Sequence, residues 1–370
     1  MSIYLDSAAT TYVYPEVAEI IKFYNVKNFY NPSATYSAGK NIKKELDRCR
    51  KSIAEMINAE PEEIYFTSGG TESDNWACNF AKKRGKHIIT STIEHKAILE
   101  TLKNYKNVTY IKPDNEGVIS PISIRNAVKN DTLMISIMMA NNEIGTIEPV
   151  DEIGKIASES NLIFHTDAVQ AFGHIYIDVK KSEINMLSAS SHKFHGPKGC
   201  GFLYASKDTG IDPFIFGGGQ ENGKRSGTEN VPGIIGMVKA AEISYDRMKY
   251  INNKMEKINK YIVNRLLNET DGCIYNGSRS KRLSNNINLC FKDIDGTALL
   301  TLLEIKGIYA SGASACNSRQ KKSHVLTAIG VPEEYIRGSI RMTLDERIEF
   351  SHAEYVVEAI KRCVEYLRSI

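Results

Sequence analysis

The sequence predicts an α/β protein with a large domain built on a mainly parallel sheet and a smaller α+β domain. Between about residues 13 and 250, short apolar segments of strand length alternate with helical segments, which is typical of a parallel sheet covered on both faces. A long helical stretch follows at 232–267, and the later elements lack that alternation. A chain of 370 residues is also too long for one ordinary core. We therefore predict a large domain at 13–250 and a small domain formed by 1–12 with 251–370.

The predicted strands of the large domain are short and apolar. They lie at 64–67, 87–91, 108–111, 133–138, 162–165, 186–189 and 201–204, with helices between several of them, as at 71–83 and 150–158. The small domain has predicted strands at 273–275, 286–291, 308–310 and 339–343, and predicted helices at 297–305 and 351–367. Ligands of such sheets gather beyond the carboxyl ends of the strands, so residues that follow a strand are candidate site residues.

Composition excludes several classes of protein. The hydrophobic fraction of 42% and the charged fraction of 25% are ordinary for a globular protein, and a net charge of +3 gives no broad basic surface for direct nucleic-acid binding. We find neither a signal peptide nor an apolar run long enough to span a membrane. The seven cysteines are scattered and form no C-x-x-C pair, which argues against disulfides and a zinc site. We expect a cytoplasmic protein without a bound metal.

Lys193 and Asp167 are the central pair of candidate site residues. Lys193 lies among small polar residues and is followed by Gly196 and Pro197, a poor setting for a solvated helix face. Desolvation can lower the pKa of a lysine amine until it forms a Schiff base with an aldehyde. Asp167 ends an apolar strand, where a carboxylate can keep a pyridinium nitrogen protonated. Each residue alone is more typical of the surface, but together they indicate pyridoxal phosphate.

Gly70 and Thr71 are candidate phosphate ligands because they lie between a predicted strand and a predicted helix. The free N–H groups of a helix N-terminus bind phosphate, and glycine lets the backbone approach closely. A simple turn with Thr71 as the helix cap is the alternative. The segment lacks the G-x-G-x-x-G pattern of a dinucleotide site.

His95 and Asn142 also follow predicted strands. The His95 imidazole is positioned to stack on a planar cofactor, and the Asn142 amide to bond a phenolic oxygen, although a structural histidine and a simple turn are the alternatives. Gly70, His95, Asn142, Asp167 and Lys193 all lie at strand ends, and this shared placement favours a common site.

Cys316 is the candidate nucleophile. It lies in a segment rich in Gly, Ala, Ser and Asn, and the basic residues at 319–322 favour its thiolate. Arg341, on a predicted strand, is suited to bind a substrate carboxylate in bidentate fashion. Arg225, after a glycine run, is a candidate second anion site.

These residues fall within motifs of a known family. The chain resembles the NifS/IscS-type cysteine desulfurases, enzymes of aminotransferase class V with the pyridoxal phosphate-dependent transferase fold type I. The matching motifs occur in the family's order along nearly the whole chain, at 4–11, 31–33, 66–75, 94–97, 141–145, 165–170, 190–199, 225–228 and 312–316.

The resemblance implies a role for each matching residue. The cofactor would be held by Gly70, Thr71, Ser190 and His192 at its phosphate, Asp167 at its ring nitrogen, Gln170 at its phenolic oxygen, Asn142 and His95 against its ring, and Lys193 at its aldehyde. Thr228 would reach the phosphate of the neighbouring subunit, which implies a homodimer with shared active sites. Asn31 and Arg341 would bind the substrate carboxylate. Lys193, His95 and Cys316 would be catalytic.

We therefore expect a cysteine desulfurase that converts L-cysteine to L-alanine and forms a persulfide on Cys316. Its acceptor would be an iron–sulfur scaffold or a tRNA-thiolation enzyme. The alternatives are a selenocysteine lyase or another class V enzyme, and a non-catalytic sulfur carrier, against which Lys193, Asp167 and His95 argue. The run at 319–322 is basic, lacks proline and is about one residue shorter than the family pattern. This difference indicates either neutral drift or a different acceptor.

Overall fold

The computed structural model describes residues 2–312 and 322–370. Within them the strands are β1 Ile3–Tyr4, β2 Ile64–Thr67, β3 His87–Ser91, β4 Val108–Ile111, β5 Thr132–Ser136, β6 Ile163–Asp167, β7 Met186–Ser190, β8 Gly201–Ala205, β9 Cys273–Tyr275, β10 Asn286–Phe291, β11 Ile308–Tyr309 and β12 Ser339–Thr343. The α-helices are α1 Pro15–Val26, α2 Ser37–Met56, α3 Gly70–Lys83, α4 Lys96–Leu102, α5 Pro121–Ala127, α6 Val150–Glu159, α7 Val231–Glu269, α8 Gly296–Ile305, α9 His324–Ala328, α10 Glu333–Ile336 and α11 Phe350–Ser369.

A seven-stranded sheet organises the larger part of the molecule. Its strand order is β2-β8-β7-β6-β5-β3-β4, and β8 is antiparallel to both of its neighbours while the other pairs are parallel. The predicted α/β class with a mainly parallel sheet is therefore confirmed. Strands β3, β7 and β8 are buried along their whole length, and β6 is buried after its first residue, as expected for a sheet covered on both faces.

The reversed direction of β8 has a local cause. Only residues 191–200 separate β7 from β8, and this loop contains a single 3-10 turn. A parallel return needs a crossover of a dozen or more residues, so the chain can only turn back. The loop therefore stays at the edge of the sheet where β6 and β7 end.

Two buried apolar clusters flank the long helix α7. Its first turns, with Val231 and Met237, pack in the cluster around the seven-stranded sheet, and its later turns, with Met255 and Leu266, pack in a second cluster. The antiparallel sheet β12-β10-β9 contributes to the second cluster. The domain boundaries predicted above stay a prediction.

The N-terminal segment joins the C-terminal part of the chain. Strand β1 pairs in parallel with β11, and Ile3 lies opposite Ile308. The segment then crosses to the large sheet, where the Thr11 amide donates to the His192 carbonyl at 2.9 Å. It thereby connects the small sheet to the loop that carries Lys193.

Candidate active site

Lys193 lies in the 3-10 turn that follows β7, on the loop between β7 and β8. Its ammonium donates to two carbonyl oxygens of the N-terminal segment, Ala8 O at 2.6 Å and Ala9 O at 2.8 Å. The same segment binds Gln170, whose Nε2 donates to Ala8 O at 3.1 Å. The backbone of residues 8–9 therefore holds Lys193 and Gln170 at one place.

Asp167 is the last residue of β6 and is 5% exposed. Its Oδ1 accepts a hydrogen bond from the Val169 amide at 2.9 Å. Burial raises the pKa of Asp167, while the charges of His95 and Lys193 act in the opposite direction. A cationic ring nitrogen at this carboxylate would add a further charge that favours the ionised form.

His95 precedes α4 and acts as its N-cap. Its Nδ1 accepts the Ala97 amide at 3.2 Å, so a neutral ring carries its proton on Nε2. Desolvation lowers the pKa of His95, which favours that neutral ring. Ligand atoms of His95, Asp167 and Asp74 all lie within 4.8 Å of one another. The predicted stacking residue and the predicted pyridinium partner are therefore neighbours.

Gly70 opens helix α3 directly after the loop that leaves β2. A Cβ atom on Gly70 would come within 2.5 Å of a Val169 methyl group and 3.7 Å of the Ser190 Cβ. Glycine is thus required for the N-terminus of α3 to approach the ends of β6 and β7. Gly70, Thr71 and Ser190 form a cradle with free helix amides, the arrangement that binds phosphate.

The adjacent His192 is kept neutral. Burial, followed by the positive charge of Lys193, lowers the pKa of His192 to about 4. Its Nδ1 lies 3.2 Å from Thr10 Oγ1. A neutral imidazole at this position can donate one hydrogen bond to a phosphate oxygen.

Arg341 lies on β12, close to the loop that contains Asn142. One guanidinium nitrogen donates to Asn142 O at 3.1 Å and another to Asp6 Oδ1 at 2.7 Å. Its Nε is buried and has no hydrogen-bond partner among the described residues. Two sequence-predicted site residues, Arg341 and Asn142, are thus in contact.

Comparison with known proteins identifies the family. The Aminotransferase class-V model matches residues 3–347. The chain is 49% identical over 378 residues to cysteine desulfurase IscS of Methanosarcina thermophila, an alignment that covers 100% of this chain and 93% of that protein. The chain belongs to the cysteine desulfurases of aminotransferase class V.

Solved structures agree with this assignment. A NifS-like protein has a TM-score of 0.93 and 36% identity, covering 99% of this chain and 100% of its own. A structure described as SspA in complex with cysteine has a TM-score of 0.82 and 36% identity, covering 93% of this chain and 99% of its own. The predicted fold type I is confirmed.

Cysteine desulfurases of this class depend on pyridoxal phosphate, and the site of this desulfurase fits that cofactor. The glycine cradle at Gly70 leaves room that a side chain would fill, Asp167 ends β6, and Lys193 lies in the turn directly after β7, the strand that pairs with β6. The donor set is thus a primary amine, a buried carboxylate and free helix amides.

Three predicted residues are not joined to these groups by contacts of the described chain. Asn31 lies in an exposed loop, and its Oδ1 accepts the Ser33 amide at 2.8 Å. Thr228 is exposed on the loop before α7. Cys316 lies outside the described residues. The roles of all three stay predictions.

The structure pairs Arg225 with a carboxylate of the chain itself, whereas the sequence suggested a second anion site there. Its guanidinium forms a two-pronged ion pair with Glu72, with nitrogen–oxygen distances of 2.8 and 3.1 Å. The carboxylate already satisfies this arginine. Glu72 also accepts the Ser68 amide at 2.8 Å, so the pair stabilises the loop in front of α3.

Several polar groups at the site are not among the residues predicted from the sequence. The carbonyls of Ala8 and Ala9 carry no side-chain signal, and Asp6 and Asp74 are recognised only from their contacts with Arg341 and Asp167. The available sequence signal for Asp74 is its position inside the motif at 66–75, on a helix that packs against the sheet. An aspartate is rarely buried there without a partner.

Among the described residues, no helix combines the length and the apolar character needed to cross a membrane.

Proposed function

We propose that this chain releases sulfur from L-cysteine as a persulfide on Cys316, leaving L-alanine. The observation that carries the proposal is the convergence of Lys193 and Asp167 at one edge of the sheet, with Arg341 held nearby through Asn142. The relatives named as cysteine desulfurases, and the SspA structure described as a complex with cysteine, support the choice of substrate.

The cofactor-binding roles proposed here follow the site geometry. Asp167 would pair with the ring nitrogen of pyridoxal phosphate, His95 would pack on the ring, and Lys193 would bind the aldehyde carbon. Gly70, Thr71, Ser190 and His192 would hold the phosphate through the α3 amides and their polar side chains. Gln170 would bind the phenolic oxygen, and Asn142 would contact the ring or the substrate.

The substrate carboxylate binds Arg341, with Asn31 as its second ligand. The Nε–H of Arg341, which is buried without a partner among the described residues, is the donor that we assign to a carboxylate oxygen. Asp6 Oδ1 accepts a hydrogen bond from another nitrogen of the same guanidinium at 2.7 Å and helps to fix its plane. Substrate binding would therefore give a partner to a donor that has none among the described residues.

The proposed reaction exchanges one bond for another. When bound, pyridoxal phosphate supplies an electron-withdrawing ring that stabilises negative charge on the substrate. The Cys316 thiolate attacks the substrate sulfur, so a sulfur–sulfur bond forms as the carbon–sulfur bond breaks. The electron pair of the broken bond stays on the substrate carbon, which takes a proton to become the methyl group of alanine. Lys193 Nζ moves protons at the substrate carbons as general acid and base.

We further propose a homodimer with shared active sites, in which Thr228 reaches the phosphate site of the partner. The exposed position of Thr228 supports this role. The acceptor is an iron–sulfur scaffold or a tRNA-thiolation protein, and the enzyme is cytoplasmic. The basic run at 319–322 is the feature that would select an acidic acceptor surface.

The test is a single-turnover assay with sulfur-labelled L-cysteine and the cofactor-loaded protein. The native chain should form one alanine per site and retain the label as a reducible persulfide on the peptide that contains Cys316. Cys316→Ala should keep the visible absorbance of the bound cofactor and retain no label. The half-buried Cys273→Ser is the matched control and should behave as the native chain.

Two outcomes would contradict the proposal. Full release of sulfide by Cys316→Ala would favour a lyase mechanism without the loop thiol, as in a selenocysteine lyase. Label retained on another cysteine would remove Cys316 from the reaction.

A further inference from the structure

Asp74 is a fully buried carboxyl group behind the proposed cofactor site. It lies on α3, about one helical turn after Gly70, and is 1% exposed. Ligand atoms of Asp74, His95 and Asp167 all lie within 4.8 Å of one another. The reaction described above uses His95 and Asp167 and leaves Asp74 without a role.

The surroundings of Asp74 disfavour a negative charge on its carboxyl group. If Asp74 and Asp167 were both ionised, neither oxygen of Asp74 would have a hydrogen-bond donor among the described residues. One neighbouring base is His165, whose Nε2 lies 3.7 Å from Asp74 Oδ1. That imidazole is already engaged by hydroxyls, with Ser136 Oγ at 2.8 Å and Ser188 Oγ at 3.1 Å. Burial lowers the pKa of His165 to about 3, so it is neutral and provides no cation.

Further acidic groups also disfavour an ionised Asp74. Burial raises the pKa of Asp74 most, followed by the nearby charge of Asp167. The Ser188 hydroxyl opposes them with a smaller effect, and the charge of Glu94 raises the pKa further. Cys78, one turn further along α3, adds no positive charge. The two aspartates therefore share a single negative charge, as expected for adjacent buried carboxyl groups.

The charge belongs on Asp167. Asp167 accepts the Val169 amide at 2.9 Å, and the His95 and Lys193 charges favour its ionised form. Neither oxygen of Asp74 accepts a backbone amide among the described residues. A protonated Asp74 also gains a partner, because its O–H can donate to the Asp167 carboxylate.

We propose that Asp74 is a positioning residue that, as a neutral acid, donates a hydrogen bond to Asp167 and holds that carboxylate ionised and oriented toward the ring nitrogen of pyridoxal phosphate. This inference rests on the proposed role of Asp167. The hydrogen bond fixes the orientation of the Asp167 carboxylate, which would remain an acceptor for the protonated ring nitrogen.

The test compares Asp74→Asn with Asp74→Leu. Asparagine keeps a donor of nearly the same size, whereas leucine fills the space without one. Ser73→Ala is the matched control, because Ser73 is buried next to Asp74 on α3 and bonds Thr67 at 2.9 Å and the Phe202 carbonyl at 3.1 Å instead of Asp167. The readouts are the dissociation constant of pyridoxal phosphate and the nitrogen NMR shift of ¹⁵N-labelled cofactor bound to the protein.

The native chain, Asp74→Asn and Ser73→Ala should all show a protonated ring nitrogen. Asp74→Leu should shift the nitrogen signal toward the unprotonated form and weaken cofactor binding about tenfold or more, the effect of losing one hydrogen bond to a charged group. A native nitrogen signal and native affinity in Asp74→Leu would overturn the proposal, as would equal damage by asparagine and leucine.

A second measurement does not depend on the leucine variant folding. The infrared spectrum of the native chain at neutral pH should contain the carbonyl stretch of a protonated carboxylic acid that is lost in Asp74→Asn. If the native-minus-variant difference spectrum lacks this carbonyl band, Asp74 is not protonated and the proposal is overturned. Metal analysis of the same samples should find no ion bound in proportion to protein, and a bound ion lost on substitution would instead assign these three residues to a metal site. If the native chain does not bind the cofactor at Lys193, the proposed site itself is contradicted. If the native chain binds the cofactor normally and Asp74→Leu changes neither its affinity nor its nitrogen signal, only the positioning role of Asp74 is contradicted.

Discussion

Arg341 and Asp6 form a largely buried ion pair that connects β12 to the N-terminal segment. The guanidinium lies 2.7 Å from Asp6 Oδ1, and the other oxygen of Asp6 accepts the Ser311 hydroxyl at 3.0 Å. Because Asn142 O accepts a hydrogen bond from a second nitrogen of Arg341, the plane of the guanidinium is fixed, and its Nε–H has no partner in the part of the chain that the structure describes. Ser311 is also bridged to Arg341 through the backbone. A substrate carboxylate would therefore bind a guanidinium that is already oriented.

Arg341→Lys should raise KM for L-cysteine with a smaller effect on kcat. Lysine keeps the charge but loses the planar fork, which costs about 1.5–3 kcal/mol of binding, or roughly 10- to 100-fold. Steady-state alanine formation measures both constants. Arg337→Lys, on the exposed end of α10, is the control and should leave both unchanged. A decrease of the same size in kcat, with KM unchanged, would place Arg341 in the chemical step rather than in substrate binding.

Lys193→Ala should abolish the visible absorbance of the lysine-bound cofactor and lower alanine formation by at least roughly 100-fold, the usual size of lost general acid–base catalysis. The side chain also holds Ala8 and Ala9 by two hydrogen bonds, so the N-terminal segment should become more susceptible to proteolysis. Absorbance spectra and limited proteolysis check the two effects. Lys198→Ala, exposed on the same loop, should retain native behaviour, and a colourless Lys198→Ala would contradict the assignment of Lys193.

The strand pattern of the large sheet could be read from the sequence because its strands are short apolar runs bounded by polar residues. Predicted strands at 64–67, 87–91 and 108–111 coincide with β2, β3 and β4. The two strands around Asp167 and Lys193 were also located, although β6 extends two residues further than its predicted end at 165. Apolar composition ends before Thr166 and Asp167, but the backbone ladder with β7 continues through both.

Other features depend on tertiary contacts that no local pattern contains. The antiparallel direction of β8 follows from the short loop before it. The predicted strand at 308–310 is only Ile308–Tyr309, because the β1 partner that pairs with it is equally short. At the site, Lys193 and Asp167 were recognisable by residue type, whereas the ligands of their ammonium and carboxylate are backbone groups or distant acids.

Arg50 and Glu221 provide a stability prediction away from the chemistry. They form a bidentate pair at 2.8 Å with side-chain exposures of 15% and 4%, and Glu221 also accepts the Phe66 amide at 2.9 Å. Arg50→Ala leaves that carboxylate buried without its cation and should lower the free energy of unfolding by about 3–5 kcal/mol. Urea unfolding of the cofactor-free protein measures the change.

The control for this pair lies on the same helix. Arg48 on α2 pairs with Glu45 at 2.8 Å, but its side chain is exposed, so Arg48→Ala should cost less than about 1 kcal/mol. Replacing both Arg50 and Glu221 with apolar residues of similar size should recover much of the loss. Equal effects of Arg48→Ala and Arg50→Ala would show that the buried pair has no special energetic role.

Glu148 should make stability depend on pH in a defined direction. Its Oε2 accepts the Ile119 amide at 2.7 Å, and burial raises the pKa of Glu148 to about 8. The unfolded carboxyl titrates near its ordinary value, roughly 4.3. Between these two values the unfolded chain releases a proton that the folded chain retains, so folding loses up to about 1.4 kcal/mol per pH unit as the pH rises. Below this range Glu148 is protonated in both states, and above it both states are ionised.

Glu148→Gln isolates this effect, because glutamine keeps an oxygen for the Ile119 amide and does not titrate. The stability of the variant relative to the native chain should therefore increase steadily from about pH 5 to pH 8 and level off above that range. Urea unfolding at a series of pH values measures the difference, which also cancels the contributions of the other buried acids and histidines. Glu152→Gln, exposed on α6, is the control and should give a flat difference. A flat difference for Glu148→Gln would mean that the folded protein holds this carboxylate ionised, which would require a cationic or donor partner at its second oxygen, an atom that is buried without one among the described residues.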